Sequence, residues 1–257
     1  MVRKIRGSFF FTWLILKLIL LLFLLPVVAE TADVSVASEV AFRDISGHWA
    51  EEIILRWQDS GIVCGYPDGT FRPDDPVTRA ELAKIITLAF RLEPEEGTVA
   101  FSDLDSAEWY YNYVLAAQSY IPTYGPPDVD QSTWMYSRQS DSFFPDQPAL
   151  RFHVCETFSL LKMQVEDISP EIPTIQEIQK AVTGRFRDGA YTNLYPMHGM
   201  IAENVRRFQT YTWLASELGI LIGDPDGYFR PYDPVTRAEV LTILDRILDI
   251  HNSEQKG

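Results

Sequence analysis

The sequence predicts an all-α protein built from three helix-loop-helix repeats. Two segments, residues 61–81 and 219–239, align without a gap and match at 16 of 21 positions. Around them, apolar residues recur at helical spacing between helix start and stop signals. One repeat usually cannot bury its apolar face alone, so we expect the repeats to stack and functional sites to lie where they meet.

The first repeat, residues 42–92, has the clearest pattern of helix, loop and helix. Trp49 and Trp57 lie about two helical turns apart with isoleucines between them, which predicts a first helix that ends at the next glycine. The Gly-Tyr-Pro-Asp-Gly segment that follows predicts a compact turn. Thr78 and Glu81 then form a capping box, so a second helix is predicted to start at Thr78.

The other two repeats depart from this pattern. The second, residues 101–163, keeps a similar opening and a predicted helix over 109–120, but an aromatic and proline-rich insertion at 120–144 replaces the glycine turn. This insertion is either a lip that stacks on sugar or a loop packed over the second repeat, and we favour packing because its large aromatic side chains need burial. A linker with one short helix follows at 164–185. The third repeat, residues 186–250, carries an insertion before its first helix.

The N-terminal 29 residues predict either a signal peptide or an uncleaved membrane anchor. Basic residues precede an apolar run over 9–28, and small residues follow up to Ala29, where a cleavage site is expected. The run is also near the length that spans a bilayer, so the anchor is the alternative. In both cases we expect the chain after residue 30, which begins with a linker over 30–41, to be exported. Membrane contact is then expected only through residues 9–28.

The exported part is strongly acidic. The chain has 22 Lys and Arg against 36 Asp and Glu, and four of those basic residues lie within the first 29. Such an acidic surface argues against nucleic acid as a partner. A polyanion can therefore bind only at local clusters of basic side chains.

Cysteine and histidine usage predicts neither a disulfide framework nor a metal site. Cys64 precedes a glycine turn and Cys155 lies in a predicted helix, so we expect two partly buried thiols. The four histidines are scattered, without metal-ligand spacing. Asp224 and Asp226 lie close together in a turn, but the further oxygen ligands of a calcium loop are missing. We expect no metal and no cofactor.

Four short motifs occur in order within residues 42–81. They are an F-x-D opening, an H-W-A at a helix start, a G-Y-P-D-G-T-F-R-P turn and a T-R-A-E helix start. In this order they resemble the S-layer homology (SLH) family. The third repeat carries the second half of the pattern, and the degenerate second repeat carries the opening and one arginine. The resemblance therefore covers most of residues 42–250.

The resemblance implies a fold, a location and a ligand. SLH repeats imply one pseudo-threefold helical bundle at the bacterial envelope. Its grooves between neighbouring repeats are expected to bind secondary cell-wall polysaccharide, often carrying pyruvate ketals. In the third repeat Arg207 stands where a tryptophan is expected. The glycan-binding residues that the resemblance implies are Asp44, Trp49 and Arg79 in the first repeat, Asp103, Trp109 and Arg151 in the second, and Asp188 and Arg237 in the third.

The recurring arginine has an interpretation that does not depend on the family. A cation in the first helical turn opposes the partial positive charge of the helix N-terminus, at a cost of about 0.3–1 kcal/mol. Free backbone N–H groups and an adjacent guanidinium together favour an anion, such as a sugar carboxylate. The alternative is an internal ion pair, for Arg79 with Asp44 or Asp75.

The tryptophans and aspartates also have two interpretations each. Trp49 and Trp109 either belong to the core, as helical spacing indicates, or present a ring to a sugar. Asp44 and Asp103 either accept hydrogen bonds from sugar hydroxyls and orient the arginine, or form turns and helix caps.

The sequence therefore predicts a non-catalytic envelope protein that anchors or tethers at the bacterial surface. Its predicted partner is secondary cell-wall polysaccharide or a peptidoglycan-linked anionic glycan. One alternative is a module that docks another envelope protein. A wall-active enzyme is less favoured, because a glycosidase needs two suitably spaced carboxyl groups and the sequence identifies no such pair.

Overall fold

The computed structural model describes residues 42–98, 100–122, 141–189 and 202–248. Within these ranges it contains seven α-helices and no β-strand, so the predicted all-α fold is confirmed. None of these helices is both long enough and apolar enough to cross a membrane. The predicted leader or anchor and most of the aromatic insertion lie outside the described residues. The helices are α1 (Glu51–Asp59), α2 (Arg79–Phe90), α3 (Tyr111–Ala117), α4 (Arg151–Glu166), α5 (Ile175–Arg185), α6 (Ala202–Glu217) and α7 (Arg237–Leu248).

Capping boxes start the helices where the sequence predicts them. Before α2, the Thr78 hydroxyl accepts a hydrogen bond from the Glu81 N–H at 3.1 Å, and the Glu81 carboxylate accepts one from the Thr78 N–H at 2.9 Å. Thr236 and Glu239 form the same pair of bonds before α7, at 3.2 and 2.9 Å. A box led by Thr174 starts the short helix α5. These bonds satisfy N–H groups that a helix N-terminus otherwise leaves without partners.

The first helix of the first repeat, α1, and the first helix of the second repeat, α3, are shorter than the sequence pattern predicts. Helix α1 begins two residues after Trp49, so this tryptophan precedes the helix and does not lie on its buried face. Helix α3 ends at Ala117, because the N–H groups of Tyr120 and Ile121 both fold back onto the Ala117 carbonyl. The prediction of a helix over 109–120 is therefore right in place but too long at both ends.

Helix α6 is the long first helix of the third repeat. It ends at Glu217, the residue that corresponds to Asp59 at the end of α1. It has 16 residues where α1 has 9, so it extends further towards its N-terminus. As a result Arg207, which corresponds to Trp49 in the ungapped alignment, lies within a helix and not before one.

Three extended residues, one from each repeat, form a closed ring of hydrogen bonds at the centre. The Val77 N–H donates to the Val235 carbonyl, the Val235 N–H to Ala149, and the Ala149 N–H to Val77, each at 2.9 Å. All three residues are fully buried. Isolated bridges flank each link of the ring. The ring supports the predicted pseudo-threefold bundle, which as a whole stays a prediction.

Each repeat starts its second helix on the turn of another repeat. The N–H groups of Arg79 and Ala80, the first two residues of α2, donate to the Gln147 and Pro145 carbonyls of the second repeat, both at 2.9 Å. Corresponding pairs of bonds join α4 to the third repeat and α7 to the first. Those bonds run from Arg151 to Asp233, Phe152 to Pro231, Arg237 to Asp75 and Ala238 to Pro73, over 3.0 to 3.1 Å.

Packing between helices brings the first and third repeats together. Helix α1 packs on α7, and α7 also packs on α4. Helix α3 packs on α2, whereas α6 lies between α4 and α5. A salt bridge of 2.5 Å joins Arg56 on α1 to the buried Asp245 on α7. The chain therefore joins its first and last helices through both apolar packing and a buried ion pair.

The second repeat starts its helix α4 without the threonine and glutamate of the other two. His153 takes the place of the glutamate, and its Nδ1 accepts a long hydrogen bond of 3.4 Å from the Leu150 N–H. Burial, and in addition the positive charge of Arg79, hold the pKa of His153 well below its usual value. A neutral acceptor has thus replaced a charged one at this helix start.

We expect His153 to make folding stability fall on mild acidification. The unfolded chain takes up a proton below a pH of about 6.5, whereas the folded chain does not. The contribution is fully present above that pH and is lost as the pH falls, by at most about 1.4 kcal/mol per pH unit. Denaturant unfolding at a series of pH values from 7 to 5 measures this slope.

A His153→Gln variant supplies the control for this prediction. The amide can accept the same hydrogen bond but does not titrate, so the slope between pH 7 and 5 should become smaller. An identical slope in the variant and the wild type would show that His153 is not the group responsible.

Candidate functional site

The aspartate of each F-x-D opening holds a turn of its own repeat. The two carboxylate oxygens of Asp44 accept hydrogen bonds from the Phe71 N–H at 2.8 Å and the Arg72 N–H at 2.7 Å. Arg72 is in the left-handed region, with φ at 59°. Burial opposes ionisation of Asp44, but the two backbone N–H groups together outweigh it and lower the pKa of this carboxyl group.

The same arrangement recurs in all three repeats. Asp103 and Asp188 also accept from two successive N–H groups, and in both cases the second belongs to a left-handed residue. For Asp188 this places the third opening where the sequence predicts it. The turn-forming interpretation therefore describes the geometry of all three aspartates. The bonds run to Asp103 from Phe143 and Phe144 over 2.7 and 2.6 Å, and to Asp188 from Phe229 and Arg230 over 2.7 and 2.8 Å.

Arg237 crosses from the third repeat into the first. Its Nε donates to the Phe71 carbonyl at 2.9 Å, its Nη1 to the Glu81 carboxylate at 2.7 Å, and its Nη2 to the Cys64 carbonyl at 3.3 Å. The guanidinium lies over the ring of Tyr66, 4.9 Å from its centroid. Although the side chain is buried, one edge lines a cavity.

Arg79 and Arg151 make related contacts at the other two places where repeats meet. We call each such place a joint. Arg79 is 2% exposed, and it donates from Nε to the Phe143 carbonyl at 2.7 Å and from Nη2 to the Pro122 carbonyl at 2.9 Å. The side chain of Arg151 is 20% exposed and donates from Nη2 to Glu239 at 2.8 Å. Each arginine thus links its own helix start to the turn or helix of another repeat.

The prediction that free N–H groups lie beside each arginine is wrong. The first two N–H groups of α2, α4 and α7 donate to backbone carbonyls of another repeat, as described above. The internal partners considered for Arg79, Asp44 and Asp75, also do not match the contacts seen, since Arg79 binds carbonyl groups of the second repeat. Contacts between repeats decide both outcomes, and spacing within one repeat does not reveal them.

A cavity of about 260 Å³ opens at the joint where Arg237 enters the first repeat. Its wall includes Lys84 and Ile85 on α2, Glu81, and Trp109 from the second repeat. Trp109 is 52% exposed, which rules out the core interpretation of this residue. The Lys84 Nζ lies 5.8 Å from the Trp109 ring centroid and 3.6 Å from the Cys64 sulfur. No carboxylate among the described residues forms a salt bridge with Lys84.

A second cavity has a volume of about 500 Å³. Its wall combines helices of the second and third repeats with a tryptophan of the first repeat. It is lined by Trp49, Arg151, Glu239 and Arg246. Trp49 is 62% exposed, so its core interpretation is wrong as well. In the part of the chain that the structure describes, Arg246 has no salt-bridge partner. Each cavity therefore combines an exposed tryptophan, an arginine-glutamate pair and one further cation.

Several residues of the two cavities occupy corresponding positions in the repeats, although the cations Lys84 and Arg246 do not. Glu81 and Ile85 in the first become Glu239 and Ile243 in the second, at the offset of the sequence repeat. The tryptophan and the arginine of each cavity come from different repeats, so the site is assembled across joints. Trp109 and Arg237 line one cavity, and Trp49 and Arg151 line the other.

The remaining joint contains an ion pair at the corresponding positions. Lys84, Thr242 and Glu156 each lie five residues after the recurring arginine, and Arg207 holds the place of the tryptophan. The Arg207 Nε donates to the Glu156 carboxylate at 2.7 Å, and the Glu156 side chain is 9% exposed. In two joints, the tryptophan position and the position five residues after the arginine line a cavity. In the third joint, the side chains at these two positions are in direct contact.

The two cysteines do not form a disulfide, as the sequence predicts. Cys155 is buried, and burial raises the pKa of its thiol to about 12. Cys64 is exposed on the wall of the first cavity, not partly buried as expected. Among the described residues, no group of three or more His, Cys, Asp or Glu side chains is arranged to hold a metal ion.

Comparison with known proteins identifies the repeated sequence. The family described as S-layer homology domain matches residues 41–83 and 214–241. The chain carries S-layer homology sequence. The two matches fall in the first and third repeats, where the SLH motifs are most complete, and they confirm the resemblance found in the sequence.

Three known proteins are similar to this chain over part of their length. It is 35% identical to a cellulosome-anchoring protein of Acetivibrio thermocellus over 79 residues, 30% of this chain and 18% of that protein. It is 39% identical to a surface-layer 125 kDa protein of Lysinibacillus sphaericus over 89 residues, 34% of this chain and 7% of that protein. An amylopullulanase of Thermoanaerobacterium thermosulfurigenes is 25% identical over 209 residues, 81% of this chain and 9% of that protein. The chain spans less than a fifth of each of these relatives.

The cavities contain residues that the SLH motifs did not reveal. Lys84 and Arg246 lie outside the T-R-A-E motif, and nothing in their local spacing marks them as cavity residues. The pairing of Arg207 with Glu156 joins positions 51 residues apart. One available signal was the loss of the third tryptophan at Arg207, since a charge at a position occupied elsewhere by an aromatic residue indicates a different contact.

Replacing Asp44 should destabilise the first repeat. In Asp44→Ala, two N–H groups lose a charged acceptor next to a left-handed residue, so we expect the free energy of unfolding to fall by about 1 to 3 kcal/mol. Asp44→Asn keeps one acceptor and should lose less. Denaturant unfolding measures both changes.

The exposed Asp59 at the end of α1 provides a matched control for this prediction. Asp59→Ala should change the free energy of unfolding by no more than about 0.5 kcal/mol. If Asp44→Ala were no more destabilising than Asp59→Ala, the turn-holding role of Asp44 would be contradicted.

Proposed function

We propose that this chain is a non-catalytic protein of the bacterial cell envelope that binds an anionic wall glycan in its two cavities. The observation that carries the proposal is the pairing, twice, of an exposed tryptophan with a cation that has no salt-bridge partner among the described residues. A tryptophan ring offers an apolar face to a sugar, and the cation offers a charge-assisted hydrogen bond to a carboxylate. The ligand is secondary cell-wall polysaccharide or a peptidoglycan-linked anionic glycan, including pyruvylated forms.

The acidity of the chain makes local cations decisive. With 36 acidic against 22 basic side chains, the surface as a whole repels a polyanion. Lys84 and Arg246 supply positive charge within small concave sites, where solvent screening is weaker than on an open surface. Binding is therefore limited to these sites and weakens at high salt.

The predicted site residues divide into two groups in this proposal. Trp49, Trp109, Arg151 and Arg237 line the cavities and meet the glycan, together with Lys84 and Arg246. The other four predicted residues hold the joints in shape without meeting the ligand, because their polar groups bind the backbone of a turn. They are Asp44, Asp103, Asp188 and Arg79.

The relatives support the location. Their names include a cellulosome-anchoring protein and a surface-layer protein, and SLH sequence is what this chain has in common with its family. The cell envelope is accordingly the location of this chain, where it anchors or tethers at the surface. Whether residues 9–28 act as a cleaved signal or as a retained anchor does not change how the cavities bind.

A catalytic role has less support. One relative is named an amylopullulanase, but this chain corresponds to 9% of its length. A glycosidase keeps one of two carboxyl groups protonated. The cavity carboxylates Glu81 and Glu239 instead form salt bridges with Arg237 and Arg151, at 2.7 and 2.8 Å. An ion-paired carboxylate is not placed to donate a proton.

A protein partner is the second candidate, and one surface feature favours it. Val165 in the last turn of α4, and Ile168 and Ile172 in the segment that follows it, are 36 to 52% exposed. Exposed apolar residues this close together can contribute to a protein interface. Crosslinking in intact cells, with glycan-depleted cells as the control, distinguishes this candidate from glycan binding.

The main test is pelleting of the full exported chain with purified cell-wall sacculi. We expect the wild type to bind, and to bind much less after the acidic substituents of the wall polymer are removed chemically. The Trp49→Ala/Trp109→Ala double variant should weaken binding at least about tenfold, corresponding to about 1.4 kcal/mol. Undiminished pelleting of this variant would contradict the proposal.

Lysine substitutions test the role of charge. Lys84→Gln should weaken binding to untreated sacculi because it removes the cavity cation that has no salt-bridge partner among the described residues. Lys180→Gln, on the exposed side of α5, removes the same charge away from both cavities and should bind like the wild type. Equal loss in both variants would mean that only the total charge of the protein matters.

A further inference from the structure

The joint that holds Glu156 and Arg207 differs from the other two in both side chains that decide ligand contact. Glu156 replaces the position of Lys84, which reverses the charge. Arg207 replaces the position of the tryptophan, which removes the sugar-facing ring. An anionic saccharide would therefore meet a carboxylate instead of a lysine, and an arginine instead of a tryptophan, in this joint.

Helix α6 explains how the two side chains meet. Because α6 begins well before the residue that corresponds to Glu51, Arg207 lies within the helix and projects from it. Helix α6 packs directly on α4, which carries Glu156. The Arg207 guanidinium also lies 5.2 Å from the centroid of the Tyr211 ring one turn along. The extra turns of α6 thus bring the arginine onto a face of α4. The corresponding faces of α2 and α7 line the two cavities.

The buried position of the pair gives it a structural role. The Glu156 side chain is 9% exposed and that of Arg207 is 26% exposed. A largely buried carboxylate without its cation is strongly destabilising, so the two side chains depend on each other. A ligand anion competing for Arg207 would weaken its ion pair with the largely buried Glu156.

We infer that the Arg207–Glu156 ion pair occupies this joint in place of a glycan, so that the chain has two glycan sites and one internal clasp. The inference rests on the proposed function and specifies it: the residue five positions after the recurring arginine decides whether a joint binds an anion. Lys84 permits binding, Thr242 permits it with the help of Arg246, and Glu156 prevents it.

The experiment counts the sites on the full exported chain. Isothermal titration with size-fractionated fragments of acidic wall polysaccharide, each carrying one carboxylate, should give two fragments bound per chain. Trp49→Ala and Trp109→Ala should each leave one site, and the double variant none. Three fragments per wild-type chain, or only one, would overturn the inference.

Charge removal at the clasp separates a structural role from a ligand role. Glu156→Gln/Arg207→Gln keeps two hydrogen-bonding side chains of similar length while removing both charges, so it should fold and still bind two fragments with unchanged affinity. The single Glu156→Gln variant should bind two fragments as well, but unfold at a lower denaturant concentration. A lower affinity or a lost site in the double variant would mean that Arg207 binds glycan, which the inference excludes.

These outcomes are distinct from failure of the proposed function. If the wild type and every variant bound no fragment, glycan binding itself would be wrong. If the wild type bound glycan but with a number of sites other than two, or lost a site with Arg207, only the clasp would be wrong.

Discussion

The closed ring of hydrogen bonds among Val77, Ala149 and Val235 is the constraint on which the rest of the structure depends. Each link joins two different repeats, so no repeat completes its own backbone pairing. The helix that follows each link then starts on the carbonyl groups of another repeat's turn. Buried backbone groups need partners, and for the ring residues and the first two N–H groups of α2, α4 and α7 another repeat supplies them. Side chains from several repeats consequently converge at every joint.

This convergence explains why the recurring arginine is a structural residue before it is a ligand residue. Its backbone lies next to the ring, and its side chain meets carbonyl groups for Arg79, a glutamate for Arg151, and both for Arg237. Arg237 is held by three such contacts. The two cavity cations without a salt-bridge partner among the described residues, Lys84 and Arg246, lie further along the helices. Positive charge at the cavities therefore comes from two sources, one fixed by the joint and one free to meet a ligand.

The repeats differ in side chains that alter the chemistry of the joints, whereas the backbone bonds that close the ring recur in all three. Asp188 holds its turn as Asp44 does, although its repeat has lost the tryptophan. His153 replaces a capping glutamate with a neutral acceptor, and Glu156 replaces a cation with an anion. A shared frame can therefore carry joints of different character, because the frame is held mainly by backbone groups and the character by a few side chains.

The sequence by itself determined the helical class, the capping boxes and the turn-forming role of the aspartates as one of two interpretations. These depend on residues close together in the chain, where local hydrogen bonding follows directly from spacing. Tertiary structure alone decided that Trp49 and Trp109 are exposed, that Trp109 lines a cavity with Arg237 and not with Arg151, and that the helix N-termini are already occupied. The physical reason is that the surroundings of these side chains and helix ends are supplied by another repeat. The residues involved are far apart in the sequence, and a local pattern does not encode their contacts.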